Sequence, residues 1–179
     1  MFGKTLVKVL LPFVLVAAIL LSACGAAKAA PSSSASTGGS AGVNSTDATR
    51  YKATWITPVI NGTSVSIPVS AIEQDKMVHF WMTLPSGKEA FMAYKLDGTI
   101  YMRGNICVPC RSYSYSLQKG ILVCDTCGTT FNAKTTAKGI SGACVNYPKA
   151  EVKWQLENGN LVTTLADLDS AYQSTLQAG

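Results

Sequence analysis

Two pairs of cysteines are the residues of this sequence whose type and spacing can do chemistry. Cys107 and Cys110 form a first Cys-x-x-Cys knuckle, and Cys124 and Cys127 form a second knuckle after thirteen intervening residues. A two-residue gap lets a turn direct both sulfurs to one point, so two knuckles supply the four thiolates of a tetrahedral zinc or iron site. Gly128 follows the second knuckle and lets the backbone turn its N–H groups toward the sulfurs. We therefore predict that these four cysteines bind a metal.

Spacing alone leaves open the identity of the metal and two other uses of the cysteines. Four-cysteine knuckles are most often structural zinc sites, whereas iron in the same geometry gives a one-electron centre and two irons with sulfide give a cluster. Disulfides suit an oxidising compartment, but a bridge within Cys-x-x-Cys closes a very short loop and stabilises a fold little. A thiol–disulfide oxidoreductase needs a pair at a helix N-terminus, and neither knuckle precedes a convincing helical pattern.

A fifth cysteine, Cys144, follows Cys127 after sixteen intervening residues, in a loop-like segment with Gly139 and Gly142. These glycines would let the backbone come close to the metal. Three roles remain open for Cys144: a further metal ligand, a partner that oxidises with a knuckle cysteine, or a buried thiol that packs as a small hydrophobe. His79 lies in an apolar strand, and we expect it to be a core or edge residue and not a ligand.

The first residues of the chain predict export to a membrane surface. The apolar run at residues 9–21 follows two lysines and spans thirteen residues, fewer than the ~20 of a spanning helix and typical of a signal peptide. Leu21-Ser22-Ala23-Cys24 resembles a bacterial lipobox, in which the cysteine is lipidated and becomes the N-terminus. The alternative is a plain signal peptide cleaved near Ala29-Ala30. We expect a signal peptide at residues 1–23 and an extracytoplasmic lipoprotein anchored through Cys24, at the cell surface or in the periplasm.

Residues 24–50 are mostly Ala, Ser, Gly and Thr. Such a segment cannot bury enough apolar surface to offset the entropy of ordering it, so we predict a flexible tether that reaches roughly 25–30 Å from the bilayer. Residues 51–179 are enough for one compact metal-binding domain with its own core.

Charge gives a local signal around the cysteines. Without the two lysines of the signal peptide, 13 basic residues face 10 acidic ones, and nothing in this balance indicates a nucleic-acid partner. Between residues 98 and 150, however, Asp125 is the only acidic residue, whereas six are basic: Arg103, Arg111, Lys119, Lys134, Lys138 and Lys149. Four thiolates around a divalent ion carry a net charge of −2, which these cations would offset. A solvated basic face, or a patch that touches anionic lipid, is the alternative.

The domain is predicted to be mainly β. Strands are expected at residues 54–60, 63–68, 76–83, 89–96, 99–102, 112–117, 121–123, 151–156 and 161–165. Asn61-Gly62, Lys119-Gly120 and Asn158-Gly159 predict tight turns between neighbouring strands. A hairpin around Lys119-Gly120 would bring the two knuckles together. Asp167 is predicted to cap a short C-terminal helix that runs to about residue 177.

Four aromatic residues near the knuckles can either shield the metal from water or be half-buried strand residues. They are Tyr113, Tyr115, Phe131 and Tyr147.

Several segments within residues 64–168 together form a recognisable pattern. They are Val78-His79-Phe80-Trp81, Gly98-Thr99-Ile100, the two knuckles, Phe131 and residues 142–148. This pattern resembles the FtrD-like family of bacterial membrane-associated proteins. Members of that family are described as iron–sulfur containing and are often linked to iron transport. The resemblance implies an iron or iron–sulfur centre in a redox-active or metal-handling domain outside the cytoplasm.

A weaker resemblance links residues 122–132 to the Rieske domain, with cysteine where the Rieske pattern has histidine. A Rieske centre needs two imidazoles on one iron, and this chain has one histidine. The resemblance therefore implies at most a Rieske-like scaffold with ligation by cysteine alone.

Together these features predict a β-sandwich or barrel-like (Rieske-like) domain with a two-knuckle insertion. We expect it to transfer electrons or handle iron for a membrane redox or metal-transport partner. A structural zinc-ribbon-like binding module and a thiol–disulfide redox protein are the alternatives. The sequence offers no Ser-His-acid set and no paired carboxylates near the cysteines, so a stand-alone enzyme is not expected.

The lipobox interpretation predicts the behaviour of Cys24→Ser. The wild-type protein should partition into detergent and lack residues 1–23, because the lipid on Cys24 holds it at the membrane. The variant should remain uncleaved or be released, as measured by mass spectrometry and phase partitioning. Normal processing and anchoring of Cys24→Ser would contradict the interpretation.

Overall fold

The computed structural model describes residues 42–134 and 137–179. In these residues thirteen strands form three sheets, and two helices pack against them. The elements in chain order are β1 (Tyr51–Lys52), β2 (Thr54–Ile56), β3 (Val59–Asn61), β4 (Ser64–Pro68), α1 (Val69–Asp75), β5 (Met77–Leu84), β6 (Gly87–Leu96), β7 (Thr99–Gly104), β8 (Tyr115–Gln118), β9 (Ile121–Cys124), β10 (Thr130–Asn132), β11 (Gly139–Ser141), β12 (Gln155–Glu157), β13 (Asn160–Thr164) and α2 (Leu165–Thr175). The prediction of a mainly β domain with a short C-terminal helix is confirmed.

A central sheet in the order β2-β5-β6-β7 separates two hydrophobic cores. Successive side chains of a strand point to opposite faces. Phe91 therefore packs in the first core, while its neighbour Met92 packs in the second. Because both faces of β6 are covered, its residues from Glu89 to Leu96 are all buried. Burial of one large apolar side chain contributes about 1.5–3 kcal/mol, so this strand stabilises both cores at once.

The two cores carry different parts of the sequence. The first core lies against the sheet β12-β13-β4-β3 and includes Ile67, Leu161 and Leu168 of α2. The second core includes residues of the sheet β1-β8-β9-β10-β11, among them Leu117 and Leu122, together with buried cysteines. The cysteine region is thus built on the side of the central sheet that faces away from the helix α2.

The expectation of one strand at residues 54–60 is wrong, because this segment forms two strands in different sheets. β2 pairs in parallel with β5, and β3 forms an antiparallel hairpin with β4. The break falls at Thr57 and Pro58, where proline has no N–H to donate to a sheet. The hairpin signal itself is confirmed: Asn61 pairs with Ser64, and Gly62 adopts a φ of 59° in the turn.

Further boundaries also differ from the expectations. The strand predicted at residues 112–117 begins only at Tyr115 and runs to Gln118. Of the strand predicted at residues 151–156, only β12 forms, while Glu151 makes an isolated bridge to Arg103. The cap of α2 is Thr164 and not Asp167, because the Thr164 Oγ1 accepts a bond from the Asp167 N–H at 3.1 Å. The Asp167 carboxylate in turn accepts the Thr164 hydroxyl at 2.6 Å. Thr164 and Asp167 thus bond to each other across the first turn of the helix. Acidic residues are common at both positions, which is why the sequence also suggested Asp167 as the cap.

Residues 42–50 contact the domain. Val43 is buried and forms an isolated bridge with Leu96, and the Lys119 N–H donates to the Asp47 carbonyl at 3.0 Å. The tether predicted at residues 24–50 therefore does not hold at residues 42–50, and for residues 24–41 it stays a prediction. These residues, like Cys24 and the predicted signal peptide, lie outside the described part of the chain.

Candidate metal centre

A tight hairpin brings the two knuckles together. β8 and β9 pair antiparallel, with Tyr115 opposite Cys124. Lys119 and Gly120 form the turn with φ angles of 50° and 69°, the positive values that a two-residue type I′ turn requires. The hairpin predicted at Lys119-Gly120 is therefore confirmed. It places the chain that leaves the first knuckle beside the chain that enters the second.

Backbone hydrogen bonds fold each knuckle into a turn. In the first, the Cys107 N–H donates to the Ser112 carbonyl at 2.8 Å. In the second, the Gly128 N–H donates to the Cys124 carbonyl at 2.9 Å, and Gly128 has a φ of 72°. That φ favours glycine, as the sequence predicted. These turns set the directions of the cysteine side chains.

The four knuckle sulfurs converge on one point. The Sγ atoms of Cys107 and Cys127 lie 3.8 Å apart, and those of Cys110 and Cys124 lie 3.7 Å apart. All four Sγ atoms lie within 4.8 Å of one another. A metal ion bound to four sulfurs at ~2.3 Å in a tetrahedron separates them by about 3.8 Å. The donor set therefore fits a single zinc or iron ion.

The described cysteines are free thiols, so no disulfide joins them. Sγ contacts of 3.7–3.8 Å run between the knuckles, from Cys107 to Cys127 and from Cys110 to Cys124, and the two sulfurs within each knuckle also lie within 4.8 Å of one another. Such pairing across the two turns is what a shared metal requires. Cys107 and Cys124 are buried, Cys110 is half-buried and Cys127 is exposed, so the centre has one edge at the surface.

Cys144 lies beside this group, as the flanking glycines led us to expect. Its Sγ is 3.7 Å from the Sγ of Cys127, and its N–H donates to Thr129 Oγ1 at 3.2 Å. A Cβ on Gly142 would come within 2.7 Å of the Thr129 Cα, and one on Gly139 would overlap the backbone of Val145. The loop can therefore approach the second knuckle only with glycine at both positions.

Thr129 is a site residue that the sequence analysis missed. It is fully buried, and its Oγ1 accepts from the Cys127 thiol at 3.2 Å as well as from the Cys144 N–H. One hydroxyl thus links the second knuckle to the Cys144 loop. Threonine is too common a residue for its position two residues after Cys127 to predict this link from the sequence.

The thiols of the knuckle cysteines differ in pKa. The Cys107 thiol hydrogen-bonds to Cys124, and the N–H groups of Cys127 and Thr126 face the same sulfur, which lowers the pKa of Cys124 to about 4. The same bond to Cys124, together with burial, raises the pKa of Cys107. Burial raises the pKa of Cys110 to about 11. Close thiolates repel one another, so full ionisation of the group requires a cation.

A buried tyrosine faces the cysteine group. The Tyr115 hydroxyl lies against the Cys107 thiol, and this contact acts to lower the pKa of Cys107 and to raise that of Tyr115. Burial and the neighbouring thiols raise the pKa of Tyr115, so its hydroxyl stays protonated. A thiolate at Cys107 would accept a hydrogen bond from it.

The other predicted aromatic residues divide between the two roles. Phe131 is fully buried with its ring centroid 6.1 Å from that of Tyr115, so these two residues shield the sulfurs from water. Tyr113 and Tyr147 are half-buried, and Tyr113 packs against Trp81 with ring centroids 4.9 Å apart. His79 is buried in β5, where burial lowers its pKa to about 3. It is a neutral core residue, as expected.

Comparison with known proteins gives one match. The family model described as "Membrane iron-sulfur containing protein FtrD-like" matches residues 60–174. This range includes both knuckles, Cys144 and the three sheets' longest strands. No curated protein and no solved structure shows a significant match to the chain. The Rieske-like scaffold therefore stays a prediction.

Replacement of single knuckle cysteines tests the shared site. Cys107→Ser, Cys110→Ser, Cys124→Ser and Cys127→Ser should each lower metal occupancy and destabilise the metal-loaded protein. Binding is coupled to folding in such sites, with free energies of order 10 kcal/mol for structural zinc. Metal analysis and thermal unfolding measure both effects, and Ser141→Ala, on the exposed face of β11, should change neither. Full metal retention in two of the cysteine variants would exclude a shared four-cysteine site.

Replacement of the fifth cysteine tests its coupling to the centre. Cys144→Ser should leave metal bound but shift the charge-transfer bands and the reduction potential, because its sulfur contacts that of Cys127 and nearby dipoles tune such centres. Visible spectroscopy and redox titration measure these shifts. An unchanged spectrum, potential and metal content would reduce Cys144 to a packing residue.

Proposed function

The chain belongs to the FtrD-like family of membrane iron–sulfur proteins, and on that premise we propose that its four cysteines hold iron and that the centre passes single electrons to or from a membrane partner. Cys107, Cys110, Cys124 and Cys127 would bind the iron, which supplies one-electron chemistry when bound. The observation that carries this proposal is the convergence of the four Sγ atoms within 4.8 Å of one another.

The sulfur spacing supports a single iron ion. In a cluster of several irons, sulfurs bound to different irons lie farther apart than sulfurs that share one iron. Here two of the four cross-knuckle Sγ distances, 3.7 and 3.8 Å, agree with the edge of one tetrahedron of about 3.8 Å, and all four sulfurs lie within 4.8 Å of one another. A single iron held by four cysteine sulfurs changes charge by one when it is reduced, and the fixed knuckles hold the ligands in place through that change.

The burial pattern supports electron exchange at one edge. Cys107 and Cys124 anchor the centre in the second core, whereas Cys127 is exposed and Cys110 is half-buried. A partner can therefore approach ligand sulfurs without opening the fold. Tyr115 and Phe131 exclude water from the opposite side, which limits reorganisation of solvent around the charge.

The proposed location is the outer face of a membrane, through a lipid on Cys24. Membrane association is a property of the family. Within residues 42–134 and 137–179, no helix is long and apolar enough to cross a membrane. The partner that we propose is a membrane redox or metal-transport protein, for which the domain would carry electrons or handle iron.

Zinc is the second candidate, because the same tetrahedron of sulfurs suits it equally well. The zinc form would be a structural binding module without redox chemistry. The thiol–disulfide function gains no support, because such proteins place the reactive pair at a helix N-terminus and neither knuckle leads into a helix.

Metal and sulfide analysis of protein purified without oxygen tests the proposal. We expect one iron per chain, no acid-labile sulfide, and a coloured sample whose bands bleach on reduction, because ferric thiolates absorb visible light. Equal amounts of iron and labile sulfide would show that the centre is an iron–sulfur cluster and not a single ion. A colourless protein with one zinc per chain would overturn the redox function.

A further inference from the structure

A buried lysine lies next to the cysteine centre. Lys149 has no exposed surface, and its ammonium donates to the Ile106 carbonyl at 2.8 Å. The Nζ atom lies 4.6 Å from the centroid of the Phe131 ring and 5.8 Å from that of Tyr115. These are the two aromatic residues that shield the sulfurs, so Lys149 belongs to the same wall of the centre.

The charges that reach Lys149 come from the cysteines. Burial lowers its pKa to about 8, and the fields of Cys107, Cys124, Cys144 and Cys110 act in the opposite direction. The ion pairs found in the described part of the chain join Arg50 to Asp125, Lys95 to Glu73 and Lys134 to Asp97, and none of them includes Lys149. An ammonium buried without a carboxylate is costly, and the cysteines are the groups whose negative charge favours the charged form of Lys149.

The other cations predicted to offset the thiolates are placed differently. Lys134 pairs with Asp97 at 2.7 Å, and Arg111 and Lys138 are exposed to solvent. Arg103 is buried, but its guanidinium donates to the Tyr94 hydroxyl and to the Lys149 carbonyl, both at 3.1 Å. Arg103 therefore holds the backbone of Lys149 in place. Exposed charges are screened by water and salt, whereas a buried charge is screened much less.

We propose that Lys149 is the buried counter-charge of the cysteine centre, and that it increases both the affinity of the centre for a divalent metal and its reduction potential. Four thiolates and a divalent ion carry −2, and the trivalent form carries −1. A fixed positive charge stabilises the more negative, reduced form more strongly, and it does so more in a low-dielectric interior than in water. This inference rests on the proposed iron function but concerns a different residue and a separate measurement.

A purely structural role for Lys149 predicts a different pattern of effects. If the side chain only fills space and satisfies the Ile106 carbonyl, Lys149→Met should weaken the metal-free fold. If it is a counter-charge, removal of the buried ammonium relieves its desolvation cost and offsets the lost bond to the Ile106 carbonyl, so the metal-free protein should be about as stable as the wild type. The loss should then appear in metal binding. A structural role therefore predicts a loss of stability in the metal-free protein, whereas a counter-charge predicts a loss of metal affinity.

Titration of the mature full chain with Co²⁺, followed by its visible absorption, tests the proposal. We expect Lys149→Met to weaken Co²⁺ binding by about 10–100-fold, the usual effect of losing a residue that supports metal ligands. Lys149→Arg should keep most of the affinity, since the charge remains. Lys138→Met, which removes an exposed cation from the same region, should bind as the wild type does. In the iron form, Lys149→Met should have a lower midpoint potential.

If Lys149→Met binds Co²⁺ as tightly as the wild type does, and its midpoint potential in the iron form is unchanged, the inference is wrong. If that variant does not fold, the salt dependence of Co²⁺ binding to the wild type decides instead. A buried counter-charge predicts little change between low and high salt, whereas a steep loss of affinity would assign the role to exposed cations. Failure of the wild type itself to bind Co²⁺ would reject the metal function, which is a separate result.

Discussion

The repulsion between thiolates that converge on one point is the constraint around which this domain is organised. Sγ contacts of 3.7–3.8 Å join Cys107 to Cys127, Cys127 to Cys144 and Cys110 to Cys124, and the four knuckle sulfurs lie within 4.8 Å of one another. Two unit charges 4 Å apart interact with about 1 kcal/mol in water and about 4 kcal/mol at an effective dielectric constant of ~20. Five neighbouring thiols cannot all ionise against that energy without positive charge. The sequence meets this demand with a metal-binding geometry and, in our proposal, with the ammonium of Lys149.

The rest of the fold holds the sulfurs together against this repulsion. The central sheet is buried on both faces, so the cysteine core lies on a rigid base that is also stabilised by the opposite core. The β8–β9 hairpin aligns the knuckles, and Thr129 links the second knuckle to the Cys144 loop. Loss of one of these supports would let the sulfurs separate, so metal affinity and fold stability are coupled.

Local signals allowed much of this arrangement to be predicted from the sequence. The knuckle spacing, the turn at Lys119-Gly120 and the glycines that flank Cys144 each depend on a few neighbouring residues, and the structure agrees with them. The division of residues 54–60 between two sheets depends on pairing with distant strands. The burial of Lys149 depends on packing against Phe131 and on its bond to Ile106. Composition marked Lys149 as one of six cations, and only tertiary structure distinguishes it from the others.

X-ray absorption at the iron edge of the purified protein tests the central claim most directly, because it reports the neighbours of the metal itself. The account predicts four sulfur neighbours at close to the ~2.3 Å of metal–thiolate bonds, with no second iron nearby. Replacement of Cys127 by serine should exchange one of these sulfurs for a lighter atom or release the iron. A nearby iron neighbour, or a shell of nitrogen and oxygen atoms in place of sulfur, would contradict a single iron held by the four knuckle cysteines.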